Sequence, residues 1–596
     1  MNIIKIFQKL ERNLWFIFYF PKKQIFLRLT YLLKRYLQEK RNKYLQNKPE
    51  FLKKRDFCEW DFLSIPKDKI ISRFSSKKNL PITLNLVGYK YKLNLLNNWD
   101  FKNGSKPSLL QKMYLHYMEY LRDLNEYEGS KVIIDWISKV KPYSEKYWSY
   151  SWNSYSLSIR VVNWVDFLTV NSKNICKKDL QIIKKSISDQ VRFLFHNLEL
   201  DIRGNHLIKN IRCLFRVSSL QINKESKKWL LKASYLLDKE LDHQIMNDGM
   251  HFELSHAYHI QIFEDLLCIR RSLTYINNLK ICAIENNKLL IKIEQKLKKM
   301  IFPLYVMTHP DGKASLLGDG GMNMNVIPER MLFKTIKDLK LGNHLELPKE
   351  ISWRLSNSGY CGYKSEKSTF IIDCGPTCAN DLPAHGQGDS LSFEWSLNKT
   401  RFIVDTGVFE YKPGVKRSYS RSTAAHNTIT IDNQDQSQLW SSFRTGRRAN
   451  TSIKYWKNFE NGFSLEAYHD GYKGLKGKPI VLRKLDFQND HLIVNDEVLK
   501  GNISQVIKSR ILFAPFVKIK KKFINKERNY CCLLILFDKE STNKSIELLF
   551  ESDTCFLVRP ALWFPDFGVS LKTSKIIINI DSDFRKANWS IRVLKE

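Results

Sequence analysis

Two histidines stand where a side chain could move a proton or hold a metal ion. His385 lies in "PAHGQGDSLSFEW" (383–395) and His426 in "RSTAAHNTITID" (421–432), each in a polar setting at the entrance of an alternating run. The chain has 13 histidines, so two at strand entrances read as ligands, proton carriers or incidental residues. A third cluster is "DGMHFELSHAYHIQIFEDLL" (248–267), in which Ser255, Tyr258, His259 and Ile262 fall three or four apart. On a helix that spacing gathers them on one face. Glu253 precedes them, and His251 and His256 are neighbours. A tyrosine moves protons near neutrality only where nearby positive charge lowers its pKa from about 10; otherwise Tyr258 is a core residue.

Two further clusters suit anion and sugar recognition. "DIRGNHLIKN" (201–210) places Gly204, Asn205 and His206 just before an apolar helical run. A helix opened this way aims an amide, an imidazole and free backbone N–H groups at one point, a seat for a carboxylate. The plain alternative is an N-cap asparagine. "SWNSYSLSIRVVNWVDFL" (151–168) supplies Trp152, Tyr155, Arg160, Asn163 and Trp164. Rings that stack on sugars and a guanidinium that forks to a carboxylate fit a sugar-acid groove; two core tryptophans with a surface arginine fit equally. "HPDGKASLLGDGGMN" (309–323), carrying Asp319, is Gly-rich but lacks the phosphate-loop pattern, which excludes nucleotide binding of that type.

The elements that position these residues change once along the chain. From about 105 to 345, apolar residues recur at helical spacing, as in "LLQKMYLHYMEYLRDL". From about 355, short alternating runs bounded by Gly, Asn and Asp take over, as in "RFIVDTG", "NTITID" and "HLIVNDEV". The reading is an all-α domain over 81–350 and an antiparallel β-sandwich over 351–596, with a basic helical extension over 1–80. That extension contains an apolar run of seven residues, Leu14 to Phe20, too short to span a bilayer, and no cleavage site follows it. Residues 1–55 carry 15 Lys/Arg against 3 Glu, which suits a helix on an anionic membrane surface or one packed on the main body.

Composition bounds the partners. The 596-residue chain has 97 Lys+Arg against 61 Asp+Glu, a net charge of +36, and 13% aromatic residues. The natural partner is a polyanion: nucleic acid, a membrane face or an acidic polysaccharide. No nucleic-acid-binding signature is present. Eleven scattered cysteines without a CxxC pair exclude a zinc ribbon or redox motif.

Taken together, the segments at 152–164, "GNH" (204–206), "DGMHFELSHAYH" (248–259), "GDGG" (318–321), "HGQGDSLSFEW" (385–395) and "VDTGVFEY" through "RSTAAHNTITID" (404–432) resemble the heparinase II/III-like polysaccharide lyases, in the family's order. The resemblance spans roughly 85–590. It implies an incomplete α/α toroid followed by an antiparallel β-sandwich, and β-elimination on a uronic-acid-containing polysaccharide. That reaction needs a neutralised carboxylate, a base for the C5 proton and an acid for the leaving oxygen.

By resemblance, Asn205, with His206, neutralises the carboxylate, while Tyr258 and His385 share the acid and base work. Trp152, Arg160, Tyr411, Arg417, Tyr419 and Arg421 line the cleft. The family's zinc positions are matched by Gln387, Asp405 and His426, and Gln387 departs from the usual imidazole. No cofactor is otherwise implied. Family members act in the periplasm, whereas the lack of a visible cleavable signal allows a cytoplasmic place. A non-catalytic accessory of surface-polysaccharide assembly and a uronate-modifying enzyme stay open, as do oligomeric state and substrate.

Overall fold

The computed structural model describes residues 11–45 (apart from 13 and 16), 79–101, 107–142, 147–220, 223–278, 283–325, 328–341, 346–537 and 545–595. Most of the expected N-terminal extension, including Cys58, lies outside these residues, as does Cys282. The described chain divides into two compact units. One holds Pro21–His243 with Ile262–Leu297; the other holds Met1–Phe20, Gln244–Gln261 and Lys298–Glu596. The compact units therefore interleave in sequence, with 244–261 and 298–350 grouped with the strands. Within the second unit Asp248 accepts from the backbone N–H of Asn357 at 2.8 Å and of Ser358 at 2.7 Å, and Tyr360 donates to the Leu254 carbonyl at 2.8 Å. These bonds bind 248–254 to the strands.

The first unit is helical. Its middle is the helix Ser154–Asn171, buried at almost every position and packed against Leu109–Tyr117, Lys177–His196 and Gly204–Ser218. Asn153 caps it by accepting from the Tyr155 N–H at 3.0 Å, which ends the preceding loop. A buried Arg216–Asp166 pair, 2.7 Å apart, ties it to Gly204–Ser218. Gly129 on the helix Glu126–Lys139 lets the Phe167 ring come close: a Cβ there would meet the ring at 2.4 Å. Among the described residues no helix is long and apolar enough to cross a membrane.

The second unit is built on antiparallel strands. A five-stranded meander runs in chain order through Ile351–Arg354, Tyr360–Lys364, Ser368–Asp373, Phe393–Leu397 and Thr400–Ile403. An eight-stranded sheet starts with Thr451–Phe459, Gly462–His469, Ile480–Gln488 and His491–Leu499. The strand Lys586–Lys595 then inserts between His491–Leu499 and Ser545–Ser552, with Tyr530–Phe537 and Val517–Ile524 beyond. A four-stranded sheet orders Phe556–Trp563, Leu571–Ile580, Ile507–Leu512 and Ile429–Ile431.

One apolar core joins the three sheets, with Phe370, Trp395, Phe487, Ile511, Ile576 and Trp589 among its members. Phe370 packs on Phe487 at 5.0 Å and Trp395 meets Phe487 edge-on at 5.3 Å. Such pairs each contribute about 0.5–1.5 kcal/mol beyond burial. Gly462–His469 and His491–Leu499 alternate buried and less buried positions, as a one-sided strand should, whereas Ser368–Asp373 and Phe393–Leu397 are buried on both faces. The fully buried strand Phe393–Leu397 follows the turn that carries His385.

Candidate active site

The second unit brings five of its sequence-nominated side chains, Tyr258, His385, Gln387, Tyr411 and Arg417, together with Glu253 and Asp319. Tyr258 lies in the first turn of the helix His256–Asn278. Its hydroxyl is 2.9 Å from that of Tyr411, and its ring stacks on the His385 imidazole with centroids 3.8 Å apart and planes 21° from parallel. His385 is clamped by two carboxylates: Nε2 is 2.9 Å from Glu253 and Nδ1 is 3.2 Å from Asp319. Asp319 in turn receives both terminal nitrogens of Arg417, at 2.6 and 2.7 Å, and the Gln387 amide at 2.8 Å. Tyr411 is half-buried, with Phe443 and Phe567 edge-on to its ring at 5.0 and 4.9 Å.

Local backbone explains the "GDGG" segment. Gly318 has φ +73°, and a Cβ on Gly320 would meet the Cβ of Ala257 at 2.5 Å. Only glycine there lets the loop run against the start of the Tyr258 helix. The Ser255 hydroxyl donates to the Asp319 carbonyl, the Asp319 N–H donates to the His385 carbonyl at 3.2 Å, and the Gly318 N–H donates to Asp389 at 3.0 Å. Asp319 and His385, far apart in sequence, are thereby fixed by backbone as well as by side chain.

The electrostatics follow from this geometry. Burial alone would push the His385 pKa down, but the hydrogen bonds its ring gives to Asp319 and Glu253 outweigh it and hold it above the ordinary value. Burial would likewise raise Asp319; the Arg417 guanidinium reverses that and keeps its carboxyl well below the usual range. Tyr258 is pushed well above 10, first by burial and then by Tyr411. The lowered tyrosine pKa that a resting base would need is therefore not found: Tyr258 rests as a neutral phenol against an imidazole whose protonated form the two carboxylates favour.

Two family models match the chain: "Heparinase II/III N-terminus" over residues 124–338 and "Heparinase II/III-like, C-terminal" over residues 347–591. The chain belongs to the heparinase II/III-like family. A heparin-sulfate lyase of Pedobacter heparinus is 27% identical over 253 residues, covering 39% of this chain and 37% of that protein. One of Bacteroides thetaiotaomicron is 24% identical over 385 residues, covering 57% and 54%. These matches thus span about half, or less, of the relatives' own length. Among solved structures, a heparinase III superposes with a TM-score of 0.65 at 17% identity, covering 92% of this chain and 88% of that one. A heparan sulfate lyase from Pedobacter heparinus gives 0.56 at 17% identity, covering 94% and 88%. At such identity the likeness concerns the fold, an incomplete α/α toroid followed by an antiparallel β-sandwich.

Within this family architecture several nominated residues take other places. Arg160 is fully buried; it donates to Gln190 and to the Ser151 carbonyl, each at 2.8 Å, and lies 4.1 Å over the Trp136 ring. Trp152 packs on Trp136 and Phe193 in the same core. Neither faces a groove, because a guanidinium with buried acceptors is cheaper to keep inside than the motif suggested. Arg417 is committed to Asp319 and the Ser442 carbonyl. Arg421 is buried and donates to the carbonyls of Gly386 and Arg444 and to the Thr445 hydroxyl. Both arginines organise the site and do not line it with free charge. Tyr419 is half-buried with Phe564 edge-on to it.

His251, His256 and His259 are likewise core residues. His259 accepts from the His251 N–H at 3.2 Å, His256 accepts from the Ser315 N–H at 3.1 Å, and burial lowers the pKa of His256 and His259.

In the helical unit, Asn205 and His206 occupy the first turn of Gly204–Ser218. The N-cap is Arg203, at φ 63°, so Asn205 is not the cap. Asn205 is buried, and His206 places Nδ1 3.0 Å from the buried Glu199 with its ring 4.3 Å from that of Tyr155.

The zinc positions do not make a ligand set as arranged. His426 Nδ1 is 2.7 Å from Asp405, a direct hydrogen bond. Two donors across a tetrahedral zinc would stand roughly 3.3 Å apart at ordinary bond lengths. Burial would lower the His426 pKa, but Asp405 raises it to about 9. Gln387 gives its amide N–H to Asp319. Among the described residues no group of three or more His, Cys, Asp or Glu is arranged to hold a metal ion.

Proposed function

We propose that this chain is a polysaccharide lyase that cleaves a uronic-acid-containing anionic polysaccharide by β-elimination. The observation that carries the reading is Tyr258, its hydroxyl paired with Tyr411 and its ring stacked on His385, which Glu253 and Asp319 hold at both nitrogens. In the elimination the C5–H proton leaves, the C4–O bond breaks with its electrons going to oxygen, and a C4–C5 double bond forms. Tyr258 is the group that moves the proton. At rest it is a phenol, so its own proton first leaves through the Tyr411 hydroxyl; the phenolate then takes the C5 proton and, as a phenol again, gives that proton to the leaving C4 oxygen. Making it a phenolate at pH 7 costs at least about 4 kcal/mol, three units at 1.36 each, and the stacked imidazolium offsets part of that as charge develops. Tyr411, 2.9 Å away, is the hydrogen-bonded route by which the resting phenol loses its proton before the step and regains it afterwards. His385, with both nitrogens facing carboxylates, acts as the charged support of Tyr258 and not as a free base.

Asn205 keeps the carboxylate-neutralising role implied by resemblance, with His206 beside it, and no step is assigned to a metal. The heparin-sulfate lyase relatives favour a glycosaminoglycan, and the +36 charge favours a polyanion. The test is ultraviolet absorbance during incubation with heparan sulfate, hyaluronan, alginate and bacterial capsular polymers. A rising signal from the new double bond, lower in Asn205→Ala, is expected. A flat trace across the panel with polymer still bound would reject the lyase and leave an accessory binding protein.

A further inference from the structure

The helix Lys22–Leu45 is mounted with its polar side inward. Within the helical unit, Arg28 pairs with Asp201 at 2.8 Å and Lys34 donates to the His196 carbonyl at 2.6 Å. The Tyr147 hydroxyl donates to Gln38 at 2.8 Å, and the Trp148 indole donates to Glu39 at 3.1 Å. Gln24 is buried, and Tyr31 and Arg35 are half-buried on the same line, Arg35 lying 5.3 Å from the Trp148 ring. The opposite line is apolar and open: Phe26 is 66% exposed, Leu29 60%, Leu33 59%, Tyr36 54% and Leu37 55%. At 1.5 Å per residue this stripe is about 16 Å long.

Charge decides what could cover it. The helix has eight Lys/Arg and a single acid, Glu39, which faces inward. Lys22, Lys23 and Lys40 are exposed on the side of the stripe. A second copy of this helix would bring like charges together. The complementary partner is one surface that is both apolar and anionic. We propose that Lys22–Leu45 docks this protein on the face of an anionic lipid bilayer, lying in the plane of the headgroups with Phe26, Leu29, Leu33, Tyr36 and Leu37 inserted. Lys22, Lys23 and Lys40 then pair with phosphate groups. The role is independent of the sugar chemistry.

The experiment is sedimentation of the full chain with vesicles of phosphatidylcholine alone or mixed with phosphatidylglycerol. The protein pellets with the mixed vesicles and stays in the supernatant with the neutral ones. The combined variant Phe26→Ser, Leu29→Ser, Leu33→Ser, Leu37→Ser stays in the supernatant with both, while its thermal unfolding matches the parent because the replaced side chains touch little. A second variant, Lys22→Glu, Lys23→Glu, Lys40→Glu, keeps the stripe and also loses the mixed vesicles. Failure of the parent protein to pellet overturns the proposal. So does a serine variant that pellets like the parent, since overall charge would then suffice. A lipid-free dimer that the serine variant turns into a monomer also overturns it and assigns the stripe to protein docking.

Discussion

Two buried histidines in the strand-rich unit are built from the same parts and do different work. His385 and His426 both face carboxylates, and both have raised pKa values because those acids outweigh burial. The difference lies in what surrounds each pair. His385 has a tyrosine stacked on its face, and that tyrosine's hydroxyl reaches the half-buried Tyr411. His426 is sealed: its neighbour Asn427 donates to the carbonyls of Phe393 and Val404 at 2.7 and 3.0 Å, and Arg483 donates to the Asn427 carbonyl at 2.7 Å. A charged histidine next to a reachable hydroxyl can support chemistry. A charged histidine locked between strands can only support the strands.

That contrast can be broken at its strongest point by Tyr258→Phe. General acid–base groups contribute about 10²–10⁴-fold, and the proposed mechanism gives Tyr258 both tasks, so turnover should fall to background while polymer binding persists. Retained turnover would remove Tyr258 from the mechanism.

The two histidines should then part under the same substitution. His385→Ala should lower kcat by about 10²-fold or more, as expected for lost support of a developing charge, with a modest change in melting temperature. His426→Ala leaves Asp405 buried without its partner, which typically costs about 3–5 kcal/mol. Its melting temperature should fall while kcat per folded molecule changes little. If the two variants showed the same pattern in denaturation and kinetics, the division of labour would be wrong.

A pH series sharpens the same point. His426 titrates near 6.5 when unfolded and near 9 when folded, raised by Asp405 against burial. Its contribution is fully present below pH 6.5 and is lost as pH rises through 9, about 3 kcal/mol in all. The parent protein should lose stability across that window, and His426→Gln should lose less. Chelation is the smallest expected effect: dialysis against a chelator should leave turnover unchanged, measured with the same absorbance assay. A loss restored by zinc would mean that the Asp405–His426 pair opens to bind metal.

How far the sequence reached depends on what kind of physics each feature obeys. The change from helical to alternating periodicity was legible, because burial on one face imposes a period directly. Tyr258 and His385 were legible as motif members, and the structure brings them into contact. Their partners were harder. Glu253 and Asp319 are visible in the chain, but nothing local says that both face one imidazole. Arg160, Arg417 and Arg421 show the converse error. An arginine beside aromatics reads as a ligand group, yet each here is buried on carbonyls or a carboxylate, and only three-dimensional placement reveals those acceptors. The placing of 244–261 was hidden for a similar reason. Residues 244–261 are helical in texture, but Asp248 and Leu254 are bonded to the strand-rich part of the chain.

The clamp around His385 has a last consequence for how a polymer is captured and let go. Glu253 and Asp319 face His385 and Arg417, so the acids of this cluster are paired with basic groups inside a protein of +36. The long-range field that draws in a polyanion comes from the periphery, where salt screens it over roughly 10 Å at ordinary ionic strength. In the proposed elimination the reacting bond meets basic groups that are already paired with acids. Encounter and bond breaking would then answer to different charges: ionic strength would govern how often a chain arrives, and the paired cluster would offer the cut end little to detain it.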